Sequence, residues 1–282
     1  MQTAIQDLRY GLRQLAKNPG FTAIAVITLG LGIGINATMF SLVSAVLLRR
    51  PPGSNPDQLA VVSGIDPGNA YQPDTATISI PNYLAWRDAN HVFTEMAAAD
   101  EYRRSSLTGQ NESESLPSAA VSANYFEVMG VAAQMGRTFV SGEEQSGQDH
   151  VVVLSQTLWE RRFGSDPSIV GRTIRLNREN YNVIGVMPAS FRLIGFLPEL
   201  WTPLVIAPDD RTAAAHKDRP LYLFGRMKPG VTIEQVRSEF ATLAHRAEQE
   251  FPESEKGWGA TARTLPDFLV YGFGIRAGLA VM

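Results

Sequence analysis

Between Phe21 and Leu48 the chain carries no Asp, Glu, Lys, Arg or His. As a helix rising about 1.5 Å per residue, the run is about 42 Å long. The hydrocarbon core of a bilayer is about 30 Å thick, so about 20 apolar residues cross it. The run therefore reads as a first transmembrane helix over 21–48. Its length argues against a cleaved signal peptide, whose apolar region is about 7–15 residues, although Val43-Ser44-Ala45 has small residues at a cleavage-like spacing.

The flanks and the interior of this run carry further signals. Ile5, Leu8, Leu12 and Leu15 recur at steps of three and four, with Arg9, Arg13 and Lys17 every four residues beside them. The pattern predicts an amphipathic helix over 1–20 that lies on an anionic membrane surface, with membrane lipid as partner. Asn18-Pro19-Gly20 is expected to break that helix before the span begins. Within the span, Gly30, Gly34, Thr38, Ser41 and Ala45 fall on one helical face. Small residues let a second backbone come close and hydroxyls bond across the contact, so this face is expected to pack on another transmembrane helix. Arg9, Arg13 and Lys17 precede the span, and Arg49 and Arg50 follow it. That count leaves orientation open; the long domain beyond, which translocates largely regardless of charge, favours an N-terminus inside.

Residues 52–265 read as an α+β domain. Leu59-Ala60-Val61-Val62 is a strand pattern, and Pro81 to Ala99 reads as a helix with Pro81 in its first turn. Trp86, Phe93 and Met96 then stand on one face of that helix as core residues. Val151 to Leu154 is a buried-strand pattern, and Ser155 caps a helix over Gln156 to Phe163, which carries Trp159. Ile174 and Leu176, then Tyr181 and Val183, alternate about Asn177-Arg178-Glu179-Asn180, which predicts a hairpin. Thr232-Ile233-Glu234-Gln235 is a capping box, followed by apolar residues at helical spacing to Ala247. No βαβ repeat demands a parallel sheet. Phe268-Leu269-Val270 and Gly278 to Met282 look like the start of a second, truncated transmembrane helix over 266–282.

Few residues point to chemistry. A net charge of −3 with no Lys/Arg cluster gives no footprint for nucleic acid. Cysteine is absent, which removes disulfides and thiolate chemistry. Gly164 to Thr173 lacks the spacing and the lysine of a phosphate cradle, and neither a G-x-S-x-G elbow nor an H-E-x-x-H pair occurs. None of His91, His150, His216 and His245 has a partner at ligand spacing beyond His245 and Glu248, which read as a solvated helix face. Glu143-Glu144 reads as two exposed acids in a turn after a strand end at Phe139-Val140. Asn111-Glu112-Ser113 is a glycosylation acceptor only in a eukaryotic secretory pathway. No catalytic, cofactor-binding or metal residue is assigned, and the chain is not expected to be an enzyme.

The sequence resembles the MacB/FtsX-type permeases of ABC transporters, in particular their duplicated-permease subgroup. The resemblance begins at Leu8 to Leu48, with Lys17-Asn18-Pro19-Gly20-Phe21-Thr22 and Leu29-Gly30-Leu31-Gly32-Ile33-Gly34. It continues through Ile80-Pro81-Asn82-Tyr83, Trp86-Arg87, Val121-Ser122-Ala123-Asn124-Tyr125-Phe126 and Gly136-Arg137-Thr138-Phe139. Arg162-Phe163-Gly164-Ser165-Asp166-Pro167, Val170-Gly171-Arg172, Val186-Met187-Pro188 and Lys228-Pro229-Gly230-Val231 follow in order.

The resemblance implies a cytoplasmic N-terminus in the bacterial inner membrane and a MacB-type periplasmic core of two lobes, the second inserted at about 141–205. It implies that a separate cytoplasmic ABC ATPase binds ATP, so that this chain holds no cofactor and transmits motion to its periplasmic domain for export or efflux. The implied partners are that ATPase, a second permease half or a homodimer mate, and a periplasmic adaptor. Arg49-Arg50-Pro51-Pro52 departs from the family pattern, and the sequence stops inside the implied second helix, as an N-terminal fragment would. The competing reading is a single-span, membrane-anchored periplasmic binding or adaptor module; an anchored hydrolase has no motif behind it.

Overall fold

The computed structural model describes residues 19–47, 55–69, 74–108, 113–191 and 197–272, with the side chains at 21, 25, 35, 36, 38–47 and 270–272 outside that set. The chain divides into two compact units, Met1–Arg49 and Arg50–Met282.

The first unit contains helix α1, Pro19–Leu47, 29 residues without a charged side chain. Pro19 and Gly20 form its first turn, and the expected break before it lies outside the described residues. Proline suits the first helical position because the N–H it lacks has no intrahelical partner there. Ile24, Val26, Ile27, Leu29, Leu31 and Ile33 are all exposed. Among the described residues no helix is long and apolar enough to cross a membrane.

The second unit is built on a ten-stranded sheet. Its strands are β1 (Leu59–Ile65), β2 (Phe93–Thr108), β3 (Ser113–Val121), β4 (Met135–Gly136), β5 (Val151–Ser155), β6 (Thr173–Leu176), β7 (Glu179–Met187), β8 (Leu200–Pro203), β9 (Tyr222–Met227) and β10 (Gly259–Thr264). The order runs β10-β1-β9-β2-β3-β8-β5-β7-β4, and β6 pairs with both β2 and β7. Strand β2 therefore serves two layers. Its first half pairs with β9, and its far end pairs with β3 and, through Leu107↔Leu176, with β6. The pairs β2–β3–β8–β5–β7–β6–β2 close a circuit around a core that includes Leu116, Val152, Leu154, Leu158, Val183 and Leu200.

The β10-β1-β9-β2 half is covered on both faces. One face packs helices α2 (Ile80–Ala89) and α5 (Ile233–Glu250) through Trp86, Val236 and Phe240. The other packs the short helix α3 (Tyr125–Met129) and the start of α7 (Leu265–Gly272) through Tyr125, Phe126 and Leu265. The expected capping box is present: Thr232 Oγ1 accepts from Gln235 N–H, and Gln235 Oε1 accepts from Thr232 N–H at 2.8 Å. Ser155 likewise caps α4 (Gln156–Phe163), accepting from Leu158 N–H at 3.1 Å. Asn177 and Arg178, both at positive φ, turn the β6–β7 hairpin.

Three expectations are corrected. The helix read over 81–99 stops at Ala89, where Asn90 caps it, and Phe93 and Met96 lie on β2. Both still pack in the same core as Trp86, which explains why helical spacing looked satisfied. The sheet is mixed: β5 runs parallel to β7, with α4 in the connection, and β3 runs parallel to β8. Phe139-Val140 is not a strand end, and Glu143 is buried.

Candidate functional site

Of the residues the sequence singles out for membrane contact, Gly30 and Gly34 lie exposed on α1, and a Cβ added at either meets nothing within 4 Å. Thr38, Ser41 and Ala45 belong to the same helix, but their side chains lie outside the described residues, as do Arg9, Arg13 and Lys17 altogether. Steps of four, four, three and four residues keep all five small residues on one side of a helix with 3.6 residues per turn.

Within the domain, polar chemistry concentrates around Glu255, which sequence spacing did not reveal. Glu255 sits in the four-residue helix α6 (Pro252–Glu255) and is 3% exposed. Its Oε1 accepts from Asn82 Nδ2 at 2.9 Å and lies 2.9 Å from His216 Nδ1. Its Oε2 accepts from Arg219 Nη2 at 2.8 Å. Asn82 is held by the first turn of α2, which Ser79 caps. His216 stacks on Phe251 with centroids 4.1 Å apart, and the Arg219 guanidinium lies 3.8 Å over the Trp258 ring. A carboxylate this buried is stable only when paired and hydrogen-bonded. Both of its oxygens are occupied, so the cluster ties three distant segments together and presents no open base.

A second pair joins the exposed Arg137 to the buried Glu143, with two hydrogen bonds of 3.0 and 2.6 Å. Val140 N–H donates to the same carboxylate at 3.0 Å. Burial raises the Glu143 pKa, but the hydrogen bonds from Arg137 and Val140 and the Arg137 charge outweigh it and hold the carboxyl below its usual range. This pair fixes the segment that follows β4. There Gly136, at φ +73°, and Gly185 approach so closely that a Cβ on either would overlap backbone of the other segment.

The remaining histidines are peripheral. His245 lies 3.5 Å from Glu248 on an exposed face of α5, and His150 lies 3.5 Å from both Asp149 and Glu179. Among the described residues, no three His, Cys, Asp or Glu side chains converge as metal ligands.

Solved structures that share this fold include three extracytoplasmic or permease domains. A domain assigned to a permease protein of Porphyromonas gingivalis is 13% identical, with a TM-score of 0.57, covering 75% of this chain and 92% of that one. The periplasmic region of MacB from Actinobacillus actinomycetemcomitans is 13% identical, with a TM-score of 0.53, covering 77% of this chain and 92% of that one. The extracellular domain of the ABC-type transporter YknZ from Gram-positive bacteria is 13% identical, with a TM-score of 0.51, covering 72% of this chain and 99% of that one. At such identities the likeness is one of fold alone.

Residues 22–243 match the MacB-like periplasmic core domain, and the chain belongs to that family, among the MacB/FtsX-type permeases. No curated protein matches it.

Proposed function

We propose that this chain is the membrane subunit of an ABC transporter, anchored by α1 in the bacterial inner membrane with its large domain on the periplasmic side. A separate cytoplasmic ATPase hydrolyses ATP, and the membrane helices carry the resulting motion to the domain for export or efflux. The chain itself acts as a mechanical transmitter and not as an enzyme. One observation carries the reading: the family match begins at residue 22, inside the uncharged helix, and runs on through the mixed sheet. The Glu255 cluster and the Arg137–Glu143 pair support it, since saturated polar ties stiffen a lever.

Alkaline carbonate extraction of membranes tests the anchor. The chain is expected in the pellet, and Gly34→Arg is expected to weaken retention, because a charge near the centre of a span costs about 2.5–3.5 kcal/mol. Release of the unmodified chain into the supernatant rejects the anchor.

A further inference from the structure

A cavity of about 160 Å³ opens between the two halves of the domain. Its wall brings together Glu101 from β2, Tyr125 from α3, the Ser155-Gln156-Thr157 start of α4, Phe191, and the Glu199 to Trp201 approach to β8. Cavities of about 150 Å³ are large enough for a benzene ring.

The polar side chains at the start of α4 and Glu199 have partners in this wall or behind it. Ser155 Oγ accepts from Leu158 N–H, and Gln156 Oε1 accepts from Ala189 N–H at 2.9 Å. Glu199 Oε2 accepts from Arg161 Nη2 at 2.5 Å, and Thr157 has partners of its own. Glu101 differs. It is 8% exposed, and among the described residues its Oε1 receives only a long 3.4 Å hydrogen bond from Tyr125 Oη while its Oε2 has no partner. It follows Ala97 and Ala99 at alternate positions of β2, on the face that packs against Tyr125. An unpaired buried carboxyl oxygen is costly, so the site is poised for a donor.

The surroundings select the donor's charge. The described wall contains two acidic side chains, Glu101 and Glu199, the second already paired with Arg161 behind it, and neither Lys nor Arg. Three aromatic rings, Tyr125, Phe191 and Trp201, line it, and their faces attract cations.

We infer that this cavity binds a primary ammonium group carried on a ring-sized apolar body, with the Glu101 carboxylate as its counter-ion and the aromatic rings around the body. The inference is independent of the coupling to an ATPase and stands or falls without it.

Proton linkage gives the site a signature. Burial pushes the Glu101 carboxyl up to about 8, its bond from Tyr125 lowers it, and Asp100 raises it further. Tyr102 and Tyr222 lie near by, and a phenol supplies no positive charge. At neutral pH an arriving ammonium therefore finds a protonated acid and displaces its proton to solvent. Below about pH 8, affinity should rise about tenfold per pH unit, then level off, since an alkyl ammonium stays charged to about pH 10.

Calorimetric titration of the full chain in detergent tests this with two probes, phenethylamine and its neutral isostere phenethyl alcohol. Phenethylamine is expected to bind with that pH profile, and the alcohol at least about tenfold more weakly. Glu101→Gln is expected to abolish the pH dependence and the preference for the amine. Equal binding of the two probes, a flat pH profile in the unmodified chain, or no heat from phenethylamine at about pH 9 overturns the inference. The pH profile of the unmodified chain decides the matter if Glu101→Gln fails to fold.

Discussion

The ring of Phe93 occupies the space in which a side chain at Gly225 would stand. The two residues lie on paired strands, β2 and β9, beside an irregularity in their register, and Phe93 also packs on Phe240 of α5 with centroids 5.4 Å apart. Gly225 is thus required by its neighbour and not by its own backbone angles. Gly225→Val should destabilise the domain by about 1–3 kcal/mol, the usual cost of overpacking. A double-mutant cycle in urea checks the cause: Phe93→Leu should recover part of the loss of Gly225→Ala. Strictly additive losses would show that the ring is not what excludes the side chain.

Glu255 is the common acceptor for Asn82, His216 and Arg219. Glu255→Ala strands two buried donors and an arginine, and should cost about 3–5 kcal/mol, the range for breaking a buried ion pair. Glu255→Gln should cost less, because one acceptor oxygen remains. Chemical unfolding of the three proteins gives the order directly, and equal stability of Glu255→Ala and the unmodified chain would remove the cluster from the account.

Much of this was written in the sequence, and the rest was not for physical reasons. The caps at Ser155 and Thr232 and the β6–β7 hairpin are local, set by residues within a few positions of each other. The Glu255 cluster is not: 39 residues separate it from His216, and 173 from Asn82. Spacing carries no trace of contacts made only by tertiary packing. The misread helix over 93–99 has a different origin. Strand β2 is buried on both sides from Met96 to Ala99, so it lacks the alternation that marks a strand.

Stability should fall with rising pH because of Glu101. In the unfolded chain its carboxyl ionises near 4.5, while in the folded chain burial holds the proton to about 8. Between those values the folded state binds the extra proton, so stability declines by up to about 1.4 kcal/mol per pH unit and levels off above about 8. Glu101→Gln removes this contribution and should gain on the unmodified chain across the window. Urea midpoints at several pH values measure it, and parallel pH profiles for the two proteins would contradict it.

Gly30 and Gly34 offer a test of helix packing that leaves the chain's own contacts alone, since an added Cβ meets nothing within 4 Å. Gly30→Leu and Gly34→Leu should leave membrane retention unchanged but weaken association with a second transmembrane helix, by blocking close backbone approach. Crosslinking yield in membranes reports this, and an unchanged yield would separate the small-residue face from any packing role.

The central claim is that α1 crosses the membrane and holds the domain outside the cytoplasm. The chain contains no cysteine, so single cysteines report without background. Ser146→Cys, at an exposed loop position, should react with a membrane-impermeant maleimide in intact spheroplasts, and Thr3→Cys only after permeabilisation. Labelling of Thr3→Cys in intact spheroplasts, with Ser146→Cys protected until the membrane is opened, would contradict the account.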